Sequence, residues 1–393
     1  MKESVLLITN AYPDFDSSYR GVFIKKMASL LQKEGYEISV VTPKVYNGSC
    51  YFEDQKGIKV YRFPFFARNK LLIEYDKIPY LRMVLYFISG FFLTLYVLLR
   101  HRCRLIHAHW VIPTGLIGFC VSKILRKPLI VTIHGSDLRM ALEKGGILRR
   151  IFTSICRGAV HIQCVSEVQK RDILLLGLPE NKISVIPMGV DKAFYDSGEK
   201  RKREADNRPF TVVSNRNLIP IYNVSLLVRA IPIIIREEPG IKFIIAGDGT
   251  EKEALKGEAK ELNISAHVMF LGRIPHEVMP DLLSGADIYV STSLYDGTSV
   301  SLLEAMGTGC FPVVSDIPAN KEWIEDGKNG FLFPVNDEKI LARKILDAIR
   351  DRGLIEKARK LNQVIVEEQA LWPVCIEKIK EIYDKPNVTK NIE

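Results

Sequence analysis

Apolar runs bounded by turn residues punctuate the chain in two series. The first comprises SVLLIT (4–9), EISVVT (37–42), RLIHAH (104–109), LIVTIH (129–134), VHIQCVS (160–166) and KISVIPM (182–188). The second comprises FTVVSN (210–215), KFIIAG (242–247), HVMFLG (267–272), DIYVST (287–292), FPVVSD (311–316) and GFLFP (330–334). Each run is short, rich in Val and Ile, and apolar throughout rather than alternating, which predicts strands covered on both faces, as in parallel sheets. Helical patterns separate them, so the chain reads as α/β. The polar stretch DKAFYDSGEKRKREADNRP interrupts the rhythm. The expected organisation is an N-terminal domain over 1–190, a linker over 191–209, a second domain over 210–370, and a C-terminal helix and tail over 371–393. Disorder is expected at the chain ends and near 196–208, and the pattern does not tell which domain the last helix packs on.

One run is of a different kind. MVLYFISGFFLTLYVLL (83–99) holds 17 residues without a charge, bordered by Arg82 and by Arg100, Arg102 and Arg104. A spanning helix needs about 20 such residues, so no crossing is expected. Two readings stay open, and one helix can satisfy both on different faces. One is a core helix packed on a sheet. The other is a helix within 80–100 dipped into a bilayer interface, with arginines reaching phosphates and Tyr80, Tyr86 and Tyr96 at the headgroup level.

Length and composition agree with two ordinary domains: 393 residues, 47% hydrophobic and 26% charged, without a low-complexity tract. The net charge of +9 is uneven. Residues 1–190 carry 27 Lys and Arg against 14 Asp and Glu, and the remainder 28 against 32. The first half therefore suits an anionic partner, for which nucleic acid, an acidic membrane surface and simple solubility are all candidates. The seven cysteines show no C-x-x-C spacing. They predict a reduced, cytoplasmic protein without structural zinc. The N-terminal apolar run of five residues is too short for a signal peptide.

Open parallel sheets bind ligands where strands lead into helix N-termini. The loops after the strands hold Arg20-Gly21, His107-Ala108-His109-Trp110, His134-Gly135-Ser136-Asp137, Asn215-Arg216-Asn217 and the stretch DGTSVSLLE (296–304). In the last, Gly297, Thr298 and Ser299 open a helix. Small residues let a ligand approach free backbone N–H groups, and a helix N-terminus attracts phosphate. Asp296 and Glu304 are spaced to meet different parts of one extended ligand; alternatively, Asp296 caps the helix and Glu304 lies on its side. His109, taken alone, also reads as a hydrogen-bonded core residue.

Taken in order, RGVFIKKMASLLQKEGYEISVVTP, IHAHWVIPTG, TIHGSD, VSE, VIPMGVD, SNRNL, IIAGDG, LGR and SLYDGTSVSLLEAMGTGCFPVVSDIPANKEWIEDGKNGFLFP resemble the retaining nucleotide-sugar glycosyltransferases of family four. The resemblance runs almost end to end. It implies the GT-B fold, two facing Rossmann-like parallel-sheet domains with an interdomain cleft, and a donor that is a UDP- or GDP-linked sugar. Gly21 then matches the glycine loop near the leaving phosphates, His109 the histidine beside the transferred sugar, and Arg216 the diphosphate clamp. Arg273 and Ile274 would hold the base through their backbone, Glu304 the ribose, and Asp296 the donor sugar, alongside Gly297, Thr298 and Ser299. Arg20, His134, Gly135 and Asp137 would line the cleft on the acceptor side. His109, Asp296 and Arg216 are the catalytic candidates.

The chain departs from the family pattern twice. Tyr222 stands where the family places a lysine against the leaving diphosphate, and Asp296 where it usually has Glu. A phenol donates a hydrogen bond but carries no charge near neutral pH. The mechanism implied is same-face attack with retention and no cofactor or metal. DFD (14–16) resembles the acidic metal triplet of another transferase fold, but it lies in an early loop. The expected acceptor is a glycan or lipid-linked hydroxyl in polysaccharide or glycolipid synthesis, reached from the inner face of the membrane. Rival readings are a sugar-nucleotide epimerase or hydrolase on the same fold and a silent membrane-associated scaffold.

Overall fold

The computed structural model describes residues 3–15, 18, 20–65, 69, 80–200, 209–385 and 388, with backbone alone at 80 and 200. Contacts divide the chain into two compact units, Met1–Ile186 with Ile376–Glu393, and Pro187–Cys375.

The first unit is built on an eight-stranded sheet: β1 (Ser4–Thr9), β2 (Glu37–Lys44), β3 (Phe52–Gln55), β4 (Ile58–Pro64), β5 (Leu105–His109), β6 (Leu129–Ile133), β7 (His161–Cys164) and β8 (Ile183–Val185). Their order is β3-β4-β2-β1-β5-β6-β7-β8. All pairs are parallel except β3 with β4. This edge hairpin departs from the expectation of six strands. FEDQ is the edge strand and keeps contact with water, and IKVYRFP, between it and β2, alternates buried and half-buried residues.

The second unit holds six parallel strands: β9 (Thr211–Ser214), β10 (Lys242–Ala246), β11 (Val268–Gly272), β12 (Ile288–Ser291), β13 (Phe311–Ser315) and β14 (Phe331–Phe333), ordered β11-β10-β9-β12-β13-β14. Neighbouring residues of one strand enter different cores. Val212, Ile288, Val290 and Val313 belong to one cluster, with Ile231 and Ile345 from helices, whereas Val213, Tyr289 and Val314 join another with Leu302 and Met306. Two covered faces are the reason these strands carry no polar alternation. Part of the segment expected as a linker is instead helix, Lys192–Lys200, whose Phe194 is fully buried in the second cluster. Residues 201–208 lie outside the described residues.

In both sheets the strand order reverses beside the first strand, at β1/β5 and at β9/β12. At such a switch point adjacent strands send their following loops to opposite sides, leaving room for a ligand. Four of the five loops singled out from the sequence, those after β1, β5, β9 and β12, leave these points, and the fifth, His134–Asp137, follows the neighbouring strand β6.

The apolar run lies in helix Tyr80–Arg100, 21 residues long. By length and composition it could cross a bilayer, yet Tyr86, Thr94, Val97 and Leu98 are buried. Tyr86 meets Phe63 of β4 edge-on at 4.8 Å. This face is a core face, as one of the two readings expected. The Tyr80 side chain lies outside the described residues.

The last part of the chain belongs to the first unit. Tyr383, at the end of helix Trp372–Tyr383, is fully buried, and its hydroxyl lies 2.7 Å from His107 Nδ1. His107 Nε2 is 2.7 Å from Thr132 Oγ1, which donates to Gln163 Oε1 at 3.3 Å, while Gln163 Nε2 donates to the Ile186 carbonyl. Because Thr132 gives its one proton to Gln163, it must accept from His107 Nε2–H. His107 Nδ1 then accepts from Tyr383, so the tautomer is fixed from both sides. Tyr383→Phe leaves that nitrogen buried without a donor. A loss of about 1–3 kcal/mol is expected, read as a thermal midpoint several degrees lower in scanning calorimetry.

Candidate functional site

In the second unit, the loop after β9 carries Arg216 and the loop after β12 carries Asp296 and Ser299. Because β9 and β12 are paired, side chains 80 residues apart meet. Arg216 Nη2 donates to Asp296 Oδ2 at 2.5 Å and Nη1 to Ser299 Oγ at 2.9 Å. The guanidinium also lies over the Tyr222 ring, 4.0 Å from its centroid. Burial opposes its charge, but Asp296, Tyr289 and Tyr222 more than offset that, and its pKa is held above the ordinary value. Its Nε is buried and has no hydrogen-bond partner among the described residues. A fixed cation on a buried platform is what binding a phosphate requires.

The neighbouring backbone is fixed too. Asp296 Oδ1 accepts the Gly297 N–H, and Ser299 caps helix Val300–Gly307 by accepting from Leu302 N–H. The GDG stretch holds the other side. Any side chain on Gly247 would meet the Arg216 carbonyl at 2.1 Å, and one on Gly249 the Leu218 carbonyl at 2.2 Å. Leu218 N–H donates to the Asp248 carbonyl at 3.0 Å. Those glycines thus let the β10 loop press against the arginine's own loop.

Glu304, on helix Val300–Gly307, is buried, and its Oε1 lies 2.8 Å from His276 Nε2. His276 was not among the residues expected from sequence. It follows Gly272, Arg273 and Ile274, rests against Phe194 at 5.2 Å, and its pKa is raised, chiefly by the Glu304 bond. Only its place in RIPHE, just after the base-binding candidates, could have signalled it. Arg273 is exposed and Ile274 half-buried. Tyr222 also takes a place not expected for it: its ring supports Arg216, and its carbonyl accepts from Thr292 Oγ1 at 2.9 Å. Asp296 pairs first with Arg216. Thr298 lies in the bend between Asp296 and the cap residue Ser299.

In the first unit, Gly21 precedes helix Val22–Lys33 with φ +65, and a Cβ there would stand 2.1 Å from the Ala11 carbonyl. Only glycine fits that approach. Arg20 is buried and tied inward: Nη1 donates to Asp14 Oδ2 at 2.7 Å and Nη2 to Thr42 Oγ1 at 3.2 Å. It braces the loop in place of the open position expected for it. Asp14 of the DFD triplet is thereby an ion-pair partner; Asp16 lies outside the described residues. Asp137 is likewise internal, accepting from the N–H groups of Val111 at 2.7 Å and Gly135 at 3.1 Å. It fastens the loop after β5 to the loop after β6, where Gly135 has φ +100.

His109 and His134 do come together. His109 Nδ1 lies 3.1 Å from His134 Nε2, and its ring stacks on His107 at 4.5 Å. Trp110 covers His134 at 4.2 Å. His109 is fully buried, and its Nε2 has no hydrogen-bond partner among the described residues.

Burial is the first cause of lowered pKa values at His107 (to about 3), His134 (to about 3), His161 (to about 4) and His109 (well below its ordinary value). Between the ordinary value of 6.5 and these folded values, the unfolded chain binds more protons, so stability is full above pH 6.5 and is lost as pH falls. Asp137, pushed up to about 6 by burial, acts the other way, its contribution being present below 3.8 and lost as pH rises through 6. Asp14, Asp172 and His276, also raised, act with Asp137, and His101, also lowered, acts with the four imidazoles, whose burial gives the larger shifts. The thermal midpoint is expected to drop between pH 7 and pH 4.5, less steeply in His134→Gln and more steeply in Asp137→Asn, as followed by circular dichroism melts.

Known proteins share this arrangement of sequence and fold. The model of glycosyl transferases group 1 matches residues 196–365, and that of glycosyltransferase family 4 matches residues 21–194. The chain is 25% identical over 342 residues to alpha-monoglucosyldiacylglycerol synthase of Streptococcus pneumoniae, covering 83% of this chain and 74% of that protein. It is 25% identical over 372 residues to UDP-Gal:alpha-D-GlcNAc-diphosphoundecaprenol alpha-1,3-galactosyltransferase of Escherichia coli, covering 90% of each. Among solved structures, Anabaena HepE in complex with UDP superimposes with a TM-score of 0.74 at 19% identity, over 97% of this chain and 99% of that one. Two parallel-sheet units with matching models across both therefore place this chain among the family-four glycosyltransferases, on the GT-B fold.

Proposed function

We propose that the chain transfers a sugar from a UDP-linked donor to a hydroxyl of a glycan or lipid-linked acceptor, with retention of anomeric configuration, in the cytoplasm and without a metal cofactor. The observation that carries the reading is the buried Arg216 fork, held between Asp296 and Ser299 at the start of helix Val300–Gly307. Arg216 and that helix start offer charge and backbone N–H groups to a diphosphate. Glu304 offers its carboxylate to the ribose, with His276 setting its orientation. UDP is favoured because the E. coli relative's name specifies UDP-Gal and the Anabaena structure holds UDP. The glycolipid product named for the S. pneumoniae relative supports a lipid-linked acceptor.

In this reading the bond from the sugar C1 to the diphosphate oxygen breaks while the acceptor oxygen bonds to C1 on the same face. The acceptor proton passes to the departing phosphate oxygen, so no enzyme nucleophile is needed. Charge accumulates on the diphosphate, where preorganised Arg216 is most effective. Tyr222, in place of the usual lysine, keeps that one guanidinium in position by lying beneath it. Asp296 serves the donor sugar with whatever hydrogen-bonding capacity the Arg216 pair leaves. His109 keeps the position beside the transferred sugar that the family resemblance implies, as a neutral imidazole.

Titration calorimetry with UDP, GDP, ADP and CMP tests the donor site. UDP binding is expected, with Glu304→Ala weakening it at least tenfold, by about 1.4 kcal/mol or more. Tyr222→Leu is expected to lower turnover more than UDP affinity, since it loosens the arginine that meets developing charge. A folded protein that binds none of the four would favour the scaffold reading. With an identified acceptor, the anomeric proton coupling of the product reads retention directly.

A further inference from the structure

Helix Tyr80–Arg100 buries one face and leaves the other apolar. The exposed positions are Leu81, Val84, Ile88, Phe92, Tyr96 and Leu99, followed by Arg100. At 100° per residue they fall within an arc of about 120°, and at 1.5 Å per residue the stripe runs for roughly 27 Å. Leu81 is 85% exposed and Phe92 62%. Scattered exposed leucines are ordinary, but six large apolar side chains in one line need a partner.

The stripe does not stop at the helix. Tyr96 lies 6.4 Å from Tyr61 of β4, and Tyr61 lies 4.9 Å from Phe52 of the edge strand β3. Phe52 and its neighbour Tyr51 are both more than half exposed. An aromatic row thus continues from the arginine end of the helix across the hairpin. Beside it, the Tyr61 hydroxyl meets His101 Nε2 at 2.7 Å, and Lys59 Nζ lies 3.4 Å from His101 Nδ1. Arg100 and Arg102 are exposed at this end. Arg104 is not available: it is bound to Glu3 and to the Tyr383 carbonyl. Of the hairpin's acids, Glu53 is paired with Arg62, while exposed Asp54 accepts the Gly57 N–H and keeps its charge.

We propose that this face, the stripe of helix Tyr80–Arg100 together with Tyr51, Phe52 and Tyr61, is a docking surface for an anionic lipid bilayer, on which the helix lies flat. Apolar side chains enter the acyl boundary, the aromatic row sits at headgroup level, and Arg100, Arg102 and Lys59 meet lipid phosphates. Charge decides between a membrane and a second copy of the chain. From Tyr80 to Arg104 there is no Asp or Glu. A parallel two-fold contact through this face would set Arg100 and Arg102 against their own copies, and an antiparallel one would set them at the other helix's Leu81 end, where the helix offers no acid, so neither gives them a counterion. A bilayer rich in acidic lipid does. The helix does not cross, because Tyr86, Thr94 and Val97 on its other face are fully buried in protein. The surface goes beyond the transferase reading and stands without it.

Vesicle flotation of the full chain tests the proposal, using phosphatidylcholine vesicles alone and with about 30% phosphatidylglycerol. Wild type is expected to float with the acidic vesicles, at least tenfold less with neutral ones, and progressively less as salt rises. Ile88→Glu/Phe92→Glu is expected to lose at least tenfold in partitioning at an unchanged thermal midpoint and unchanged UDP affinity. Arg100→Ala/Arg102→Ala is expected to erase the preference for acidic lipid. Equal flotation of the wild type with both vesicles, or of the glutamate variant with acidic ones, overturns the proposal. So does absence of flotation with a concentration-dependent dimer that the glutamate variant dissociates in sedimentation velocity. The salt and lipid series use wild type alone and decide the matter even if a variant misfolds.

Discussion

A buried guanidinium organises the second unit. Arg216 is nearly excluded from water, and an ion in that position is costly unless a counterion and hydrogen bonds stand ready. Asp296 supplies the charge, Ser299 a second acceptor and Tyr222 a π-face. Meeting those demands fixes the loops after β9 and β12 against each other and places the start of helix Val300–Gly307. The glycines at 247 and 249 are part of the same requirement, since any side chain there would collide with the arginine's loop. Asp296 is therefore first a partner of Arg216 and of the Gly297 N–H. Its shorter side chain, where the family has Glu, belongs to that pairing.

The first unit solves the opposite problem. Its switch point gathers three imidazoles, and among the described residues no carboxylate pairs with them. Burial keeps them neutral, and a chain of hydrogen bonds running from Tyr383 through His107, Thr132 and Gln163 to the Ile186 carbonyl fixes one tautomer. His109, stacked on His107, inherits a fixed ring plane and keeps one nitrogen without a hydrogen-bond partner among the described residues. An uncharged, oriented imidazole offers a hydrogen-bonding nitrogen without placing a charge in the loop. The C-terminal helix thus contributes to the site region through Tyr383, although its sequence carries no chemical motif.

Much of the fold was legible. Twelve apolar runs became twelve strands, because strands covered on both faces must be apolar throughout, and that signature needs no knowledge of neighbours. The edge hairpin β3–β4 was not legible, since its exposed residues follow no such rule. Helix Lys192–Lys200 was hidden by its polar composition; Phe194 is buried in a core and Tyr195 packs partly against it. For helix Tyr80–Arg100, composition announced something unusual, but the division into a core face and an apolar outer face depends on which side meets Phe63 and the sheet.

The candidate site divides along the same line. Arg216 and Ser299 stood out by residue type and loop position, while the roles of Gly21 near the phosphates and of Glu304 at the ribose came with the family resemblance. Chain order and residue type alone determined the two α/β units, the loops that leave the strand ends, and the family. Tertiary structure decided which candidates pair with each other: Arg216 with Asp296, Glu304 with His276, Arg20 with Asp14, and Tyr222 with the guanidinium above it. Those pairings join residues up to 80 positions apart, and the register of paired strands and the burial of charge, which no local pattern encodes, bring them within hydrogen-bond reach.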